Sequence, residues 1–140
     1  MNTTVLMIED SNDIHNLVEF HLRNEGWEIA HAYNATEGLE MARTLEPSLI
    51  LMDLDLPDMS GVEACKELQA HGSLKRVPVI FISNHSNPLE IAEALDAGGI
   101  DYITKPFNPV DIRARVRAGV RAKHNADALA SSNAKLQEAF

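Results

Sequence analysis

Residues 48–58, SLILMDLDLPD, carry the clearest structural signal in this chain. Their first half is an apolar run, Leu49 to Met52, and a run this short between turn residues is typical of a fully buried parallel strand. The run ends on Asp53. Because a carboxylate is costly inside a sheet, we expect Asp53 where the strand leaves the core. Ligands bind at that end of the strands in open parallel α/β sheets, so Asp53 is the predicted reactive group.

Four further apolar segments, each followed by a helical pattern, surround this strand in the sequence. They are Thr4–Ile8, Trp27–Ala32, Val77–Ile82 and Ile100–Thr104, and His71–Arg76 is interpreted as a polar loop. Helix caps at Ser11 and Asn34, and breakers at Gly26 and Pro47, separate the first units. Strands that alternate with helices imply a parallel sheet covered on both faces, with right-handed crossovers. We therefore predict an α/β fold of flavodoxin-like, doubly wound (βα)5 architecture, with strand order 2-1-3-4-5 and an extended last helix.

The composition limits the class of protein. At 140 residues, with 45% apolar and 24% charged residues, the chain fits one globular domain. No apolar run is long enough to span a membrane, and the start shows no signal peptide. The single cysteine, Cys65, excludes an internal disulfide and fits a reducing, cytoplasmic location. The formal net charge of −9 argues against direct nucleic-acid binding, which needs a basic surface, and is compatible with a bound cation.

Polar residues stand at the carboxyl ends of four predicted strands, which a parallel sheet brings to one edge. They are Glu9 and Asp10 after the first strand, Asp53 and Asp55 after the third, Ser83 after the fourth and Lys105 after the fifth. Carboxylates this close repel one another unless a cation lies between them. A hard divalent ion suits such a set of oxygen ligands. The pattern therefore predicts a site for Mg²⁺, or for Mn²⁺ in its place.

The same residues predict phosphoryl chemistry. Asp53 can attack phosphorus as a carboxylate nucleophile, which gives an aspartyl phosphate. A bound cation and Lys105 can neutralise the oxygens of the transferring group, where positioning and charge do most of the catalytic work. Ser83 adds a hydroxyl group at the same edge of the sheet.

Five motifs in this order resemble those of the receiver domain of two-component response regulators. They are Glu9-Asp10, Asp53 followed by Pro57 and Gly61, Pro78-Val79-Ile80 ending at Ser83, Asp101-Tyr102, and Lys105-Pro106-Phe107. Each motif alone is weak, but five at the right spacing form a strong match from Thr4 to about Arg121. The resemblance implies a receiver domain over residues 1–121, followed by a helical linker or coiled-coil start over 122–140.

The resemblance also implies the chemistry of the site. Asp53 is expected to take a phosphoryl group from a phosphohistidine on a sensor histidine kinase or phosphotransfer protein. Asp10, Asp53 and the backbone carbonyl of Asp55 are expected to hold Mg²⁺, with Glu9 supporting them from behind. A cis peptide bond is expected between Lys105 and Pro106. Such a domain is a phosphorylation-dependent switch that helps to catalyse its own phosphorylation and dephosphorylation, rather than a true enzyme.

The switch residues follow from the same resemblance. Ser83 matches the hydroxyl that moves toward the phosphoryl group, and Tyr102 matches the aromatic side chain that responds. The readout face comprises the fourth helix, fifth strand and fifth helix. Asn84 and His85 depart from the small residue usual after the switch hydroxyl. They either overhang the site and change how fast phosphoryl donors or water arrive, or are plain exposed loop residues.

The last twenty residues lie outside the five strand–helix units. Leu129 and Leu136 alternate with Ala126, Asn133 and Phe140 in a heptad phase over about two repeats, fewer than the three or four that define a coiled coil. This segment is either a dimerising helix that leads to an output domain or a solvated extension. A homodimer through the readout face is a further alternative, in which Asp101 pairs with Arg115 or Arg117 of the other copy.

Three alternative functions have different sequence requirements. Asp53-Leu54-Asp55 resembles the motif of haloacid-dehalogenase-type phosphatases, but Pro57 stands where that motif has Thr or Val, and its strand usually comes first. Flavodoxins share the strand order, but a Ser/Thr/Gly-rich phosphate loop is missing after the first strand. An unphosphorylated interaction module of receiver shape has no need of the complete set of acids, hydroxyl and lysine.

Overall fold

The computed structural model describes the backbone of residues 2–138 and the side chains of residues 2–133. Within that range, five strands alternate with five α-helices. The strands are β1 (Thr4–Ile8), β2 (Glu28–Ala32), β3 (Leu49–Asp53), β4 (Val79–Ser83) and β5 (Asp101–Thr104). The helices are α1 (Asn12–Leu22), α2 (Ala35–Leu45), α3 (Gly61–Ala70), α4 (Pro88–Asp96) and α5 (Pro109–Glu138).

The strands form one parallel sheet in the order β2-β1-β3-β4-β5, which confirms the predicted topology. β3 lies in the middle, and all five of its residues are buried. This position explains its unbroken apolar sequence, since both faces of a central parallel strand are covered. β2, with polar Glu28 and His31, lies at the sheet edge.

Helices cover both faces of the sheet and form two apolar cores. On one face, α1 and α5 pack against the sheet through Val18, Leu22, Ile112 and Val116. On the other face, α2, α3 and α4 contribute a second core that includes Leu39, Val62, Cys65, Leu68 and Ala94. Burial of apolar area on both faces is the main source of stability in such a fold.

The helix ends confirm the predicted caps. Ser11 Oγ accepts a hydrogen bond from Ile14 N at 3.4 Å, and Asn34 Oδ1 accepts one from Glu37 N at 2.8 Å. These side chains satisfy backbone donors that have no partner within the helix. Gly26 follows a short 3-10 helix after α1 and has φ 77°, which suits a residue without Cβ.

The structure corrects two boundaries in the segment before β4. The predicted strand Val77–Ile82 is observed at Val79–Ser83, and the predicted polar loop is a 3-10 helix at Gly72–Arg76. Leu74 explains both differences. Its buried side chain holds this turn against the core, and the backbone N–H of Val77 donates to Leu74 O at 3.1 Å instead of joining the sheet.

Helix α5 is continuous well beyond the sheet. It packs on the core through Ile112, Val116 and Val120, after which most of its described side chains are exposed. Of the predicted heptad, the side chain of Leu136 and all of Phe140 lie outside the described residues. No helix within the described range is both long and apolar enough to cross a lipid bilayer.

Candidate functional site

Three carboxylates meet at the carboxyl ends of β1 and β3. The two strands are neighbours, with Ile8 paired to Met52, so the residues that follow lie side by side. Glu9, Asp10 and Asp53 each place a carboxylate oxygen within 4.8 Å of the others. Glu9 is fully buried and Asp53 is 3% exposed, whereas Asp10 is exposed. The acid predicted to react therefore lies at the bottom of an acidic site with one open side.

Lys105 reaches this cluster from the end of β5. Its Nζ lies 2.5 Å from Glu9 Oε1 and 3.6 Å from Asp53 Oδ2. Burial by itself lowers the pKa of Lys105, but the hydrogen bond to Glu9 and the charge of Asp53 outweigh it, so the pKa lies above its ordinary value. Lys105 is therefore a firmly held cation beside the Asp53 carboxylate.

One lysine does not balance three carboxylates. A hydrogen bond to Glu9, partial burial and the negative charge of Glu9 raise the pKa of Asp10 above its ordinary value. The charge of Glu9 contributes to this shift, in keeping with a cluster of three carboxylates beside one lysine. An all-oxygen donor set with excess negative charge fits a hard divalent cation, and Asp10 on the open side is the residue such an ion meets first.

The loop after β3 is pulled close to Asp53. Asp55 N donates to Asp53 Oδ1 at 3.1 Å, and Gly61 N donates to Leu54 O at 2.9 Å. A Cβ atom at Gly61 would lie 2.3 Å from the backbone oxygen of Asp53, so only glycine permits this approach at the start of α3. These contacts keep the backbone of Asp55 beside the acidic cluster.

Ser83 and Tyr102 are joined through the backbone of His85. Ser83, at the end of β4, is buried and its Oγ accepts from His85 N at 3.0 Å. The hydroxyl group of Tyr102, on β5, donates to the backbone carbonyl of His85 at 2.7 Å. A movement of the Ser83 hydroxyl therefore reaches Tyr102 through a single residue. The Lys105–Pro106 peptide bond on the adjacent loop is cis.

The two residues after Ser83 differ in their surroundings. Asn84 is exposed. The His85 ring lies between two acids, with Nε2 2.9 Å from Asp55 Oδ2 and Nδ1 3.6 Å from Glu90 Oε2. His85 thus bridges the loop after β4 and the loop after β3, which flank the Asp53 carboxylate.

Sequence reasoning missed His15, which supports the acidic cluster from behind. It is 1% exposed, and its Nε2 lies 2.6 Å from the Glu9 carbonyl oxygen. A carbonyl only accepts, so Nε2 carries the proton and Nδ1 accepts from His31 Nδ1, 2.6 Å away. Burial lowers the pKa of His15. Its spacing from Val18 and Leu22 places it on the buried face of α1, a signal that the sequence contains.

Asp58 was also missed. Its carboxylate accepts hydrogen bonds from the backbone of Ala35 and Thr36 at 2.8 and 2.9 Å and from the Thr36 hydroxyl at 2.7 Å. These bonds lower the pKa of Asp58 to about 2. The residue therefore fastens the loop after β3 to the amino end of α2.

The fold and the cluster of acids, lysine and hydroxyl define a doubly wound α/β domain with its site at the carboxyl edge of the sheet. Residues 5–117 match the family described as the response regulator receiver domain, and the chain belongs to that family. This membership confirms the resemblance inferred from the sequence motifs.

Similar proteins agree with this assignment. The DNA-binding response regulator MtrA of Mycobacterium tuberculosis is 34% identical over 121 residues, which cover 86% of this chain and 52% of that protein. The alkaline phosphatase synthesis transcriptional regulatory protein PhoP of Bacillus subtilis is 32% identical over 121 residues, with 86% and 50% coverage. The chain thus spans about half the length of these curated relatives. A response regulator receiver domain protein (CheY-like) from Methanospirillum hungatei JF-1 has 27% identity and a TM-score of 0.81, covering 90% of this chain and 99% of that one.

Proposed function

We propose that this domain is a phosphoacceptor switch in which Asp53 takes a phosphoryl group from a sensor histidine kinase or phosphotransfer protein. The observation that carries the proposal is the position of the Asp53 carboxylate. It is 3% exposed and lies 3.6 Å from Lys105 Nζ, among oxygens of Glu9 and Asp10. A nucleophile, a cation and a place for a second cation are therefore within reach of one transferring group.

In the proposed reaction, a carboxylate oxygen of Asp53 forms a bond to phosphorus of the donor phosphohistidine. The phosphorus–nitrogen bond breaks, and its electron pair stays on the imidazole of the donor. Lys105 neutralises one oxygen of the transferring group. Mg²⁺ or Mn²⁺, held by Asp10, Asp53 and the backbone carbonyl of Asp55 with Glu9 behind them, would supply charge neutralisation and orientation. Attack by water on the same phosphorus returns Asp53 to its free form.

The proposed switch uses the connection through His85. A phosphoryl group adds roughly −1.5 to −2 charges and three acceptor oxygens. The Ser83 hydroxyl can then turn and donate to a phosphoryl oxygen. His85 N would thereby lose Ser83 Oγ, its present hydrogen-bond acceptor. Tyr102 loses its fixed partner when the His85 carbonyl moves. The change would reach α4, β5 and α5, and through α5 the helical segment over 122–140.

His85 and Asn84 are the proposed modulators of phosphorylation and hydrolysis rates. Support for His85 comes from its contact with Asp55, which spans the two loops beside the site. Asn84 is exposed and has the weaker case. An exposed ion pair contributes little energy, so the expected effect is on access and on rate rather than on stability.

The proposal also covers the organisation of the chain and its partners. We assign residues 1–121 to the switch and residues 122–140 to a linker toward an output domain, in the cytoplasm. MtrA is named as a DNA-binding response regulator, and its greater length suggests such an arrangement.

The alternative homodimer pairing loses support, because Arg115 pairs with Asp101 in its own chain at 2.7 Å and Arg117 pairs with Glu25. Dimerisation through the tail helix stays a proposal.

The proposal is tested by intact mass spectrometry after incubation with acetyl phosphate and Mg²⁺. The wild-type chain is expected to gain one phosphoryl group, and Asp53→Asn is expected to gain none. Asp55→Asn is the matched control: it retains the backbone carbonyl and should be labelled. Omission of the metal should abolish labelling. An unlabelled wild-type chain would favour the unphosphorylated interaction module. Turnover of a phosphate ester in molar excess over protein would favour the haloacid-dehalogenase-type phosphatase.

A further inference from the structure

A cavity lies at the edge of the sheet opposite the Asp53 site. Its volume is about 240 Å³, and its lining includes Val77 and Pro78, which precede β4, and Ile100, which precedes β5. In a parallel sheet these amino ends face away from the carboxyl edge. Helix α5 lines the cavity with Ala122, Lys123 and Ala126, all beyond the part that packs on the core.

The charge in this cavity is the reverse of that of the molecule. Lys75, Arg76 and Lys123 line it, and no acidic side chain among the described residues does. The whole chain has 21 acidic and 12 basic residues, with a net charge of −9. Lys75, Arg76 and Lys123 therefore form a local basic site in an acidic protein, although Lys123 is also paired with Asp127 from outside the cavity.

Half of the residues that line the cavity are apolar. They are Val77, Pro78, Ala122, Ala126 and Ile100, and Ile100 is 51% exposed. Gln69 adds an amide from the end of α3. A lining that combines apolar side chains with cations suits a ligand that combines an apolar group with negative charge.

Lys123 already forms an ion pair with a carboxylate of its own chain. Its side chain is 15% exposed, and its Nζ contacts Asp127 Oδ1 at 2.6 Å. Asp127 belongs to a neighbouring cleft of about 660 Å³, which shares Arg76, Val77 and Lys123 with the cavity. The Asp127 side chain is half-exposed, so a carboxylate from another molecule can replace it on Lys123 at low cost.

We propose that this basic groove, defined by Gln69, Lys75, Arg76, Ile100, Lys123 and Ala126, binds an acidic peptide segment of a partner protein. In this proposal, one apolar side chain of the segment contacts Ile100, and the carboxylates of the segment pair with Lys75, Arg76 and Lys123. The cavity has room for one or two side chains, which fits a peptide anchor. Charge complementarity supplies selectivity and rapid association. The groove shares no residue with the Asp53 site, so the proposal stands independently of phosphorylation.

The test is selection of a random peptide display library on the immobilised 140-residue chain. Enriched sequences are expected to contain two or more acids beside an apolar residue. The strongest such peptide is then synthesised and titrated by fluorescence anisotropy. The double variant Lys75→Glu, Arg76→Glu should weaken its affinity at least tenfold, which corresponds to about 1.4 kcal/mol. Both residues are exposed, so folding should be unaffected.

Two further variants make the result specific. Lys66→Glu introduces the same charge change on an exposed position of α3 outside both cavities and should leave affinity unchanged. Ala126→Glu places an acid within the groove and should also weaken binding at least tenfold, with normal circular dichroism. The proposal is overturned by no enrichment, by enriched peptides without acids, or by equal loss of affinity in Lys66→Glu. Amide NMR shifts at Asp10 and Ser83 rather than at Gln69 and Ala122 would equally overturn it.

Discussion

Asp10 carries the consequence of charge repulsion in the acidic cluster. Its pKa is raised above the ordinary value of 3.8 because of Glu9 and partial burial. A folded chain whose carboxyl group has a raised pKa binds protons more readily than the unfolded chain. The unfavourable contribution of Asp10 is therefore absent at low pH, and it develops as pH rises through 3.8 and then through the folded pKa.

We predict that Asp10→Asn stabilises the metal-free protein and weakens metal binding. The stability gain near neutral pH is expected to be a few tenths of a kcal/mol up to about 1 kcal/mol, since Asp10 is exposed and water screens its charge. Urea unfolding in a chelator measures the gain, and calorimetric titration measures Mg²⁺ affinity. The gain should vanish at a pH below 3.8. A variant that is less stable in chelator would contradict the repulsion argument.

His85 and Asn84 provide a paired comparison on the loop after β4. We predict that His85→Ala speeds phosphorylation by acetyl phosphate and subsequent hydrolysis about twofold to fivefold, because an exposed bridge is worth no more than about 1 kcal/mol of barrier. Asn84→Ala should change both rates less. The decay of phosphorylated protein, followed by intact mass, gives the hydrolysis rates. Equal rates in wild type and His85→Ala would mean that the contact with Asp55 does not control access.

At the level of the element, Asp58 joins two segments that the chain separates by more than twenty residues. It accepts from two backbone N–H groups at the start of α2, which have no partner within that helix. Asn34 already caps α2 through Glu37 N. The helix end thus has two caps, one from its own sequence and one from the loop that follows Asp53.

We predict that Asp58→Ala destabilises the fold by about 1 kcal/mol, as the loss of a cap does. The pKa of Asp58 is lowered to about 2, so its contribution is complete above its ordinary value of 3.8 and is lost as pH falls through about 2. Urea unfolding should therefore separate wild type and variant at neutral pH and bring them together below pH 2. A constant difference at both pH values would indicate lost packing rather than a lost cap.

At the level of the whole molecule, α5 has two parts with different roles. Ile112, Val116 and Val120 bury the first part against the sheet, whereas the second part, from residue 121, is largely exposed up to residue 133. A helix as short as residues 121–138 has only marginal stability in water when it packs against nothing. The second part therefore adds helical content without adding much to the stability of the domain.

Removal of residues 125–140 is predicted to change the free energy of unfolding by less than about 0.5 kcal/mol, since residues 125–133 are largely exposed and exposed residues contribute little. Circular dichroism should report lost helix, and urea unfolding should give a nearly unchanged midpoint. The same samples, examined by light scattering, test the tail dimer. A midpoint that rises with protein concentration in the full chain, and not in the shortened one, would support dimerisation through this helix.

Local sequence patterns were sufficient for the architecture and for much of the site. Apolar runs, caps and breakers are short-range features, so they located all five strands and helices to within a few residues. The acids, hydroxyl and lysine were also accessible, because a parallel sheet brings strand ends to one edge. The 3-10 helix before β4 was not predicted, because it depends on the burial of a single residue, Leu74, in the core.

Other features depend on contacts between distant parts of the chain. The support of Glu9 by His15, the fastening of α2 by Asp58 and the bridge from His85 to Asp55 each join residues on different elements. The basic groove forms only because α5 continues past the amino ends of β4 and β5. Periodicity reports which face of an element is buried, whereas only packing decides which side chains meet. The meeting of acids and lysine at the sheet edge could therefore be inferred from sequence, and the supporting contacts and the opposite groove could not.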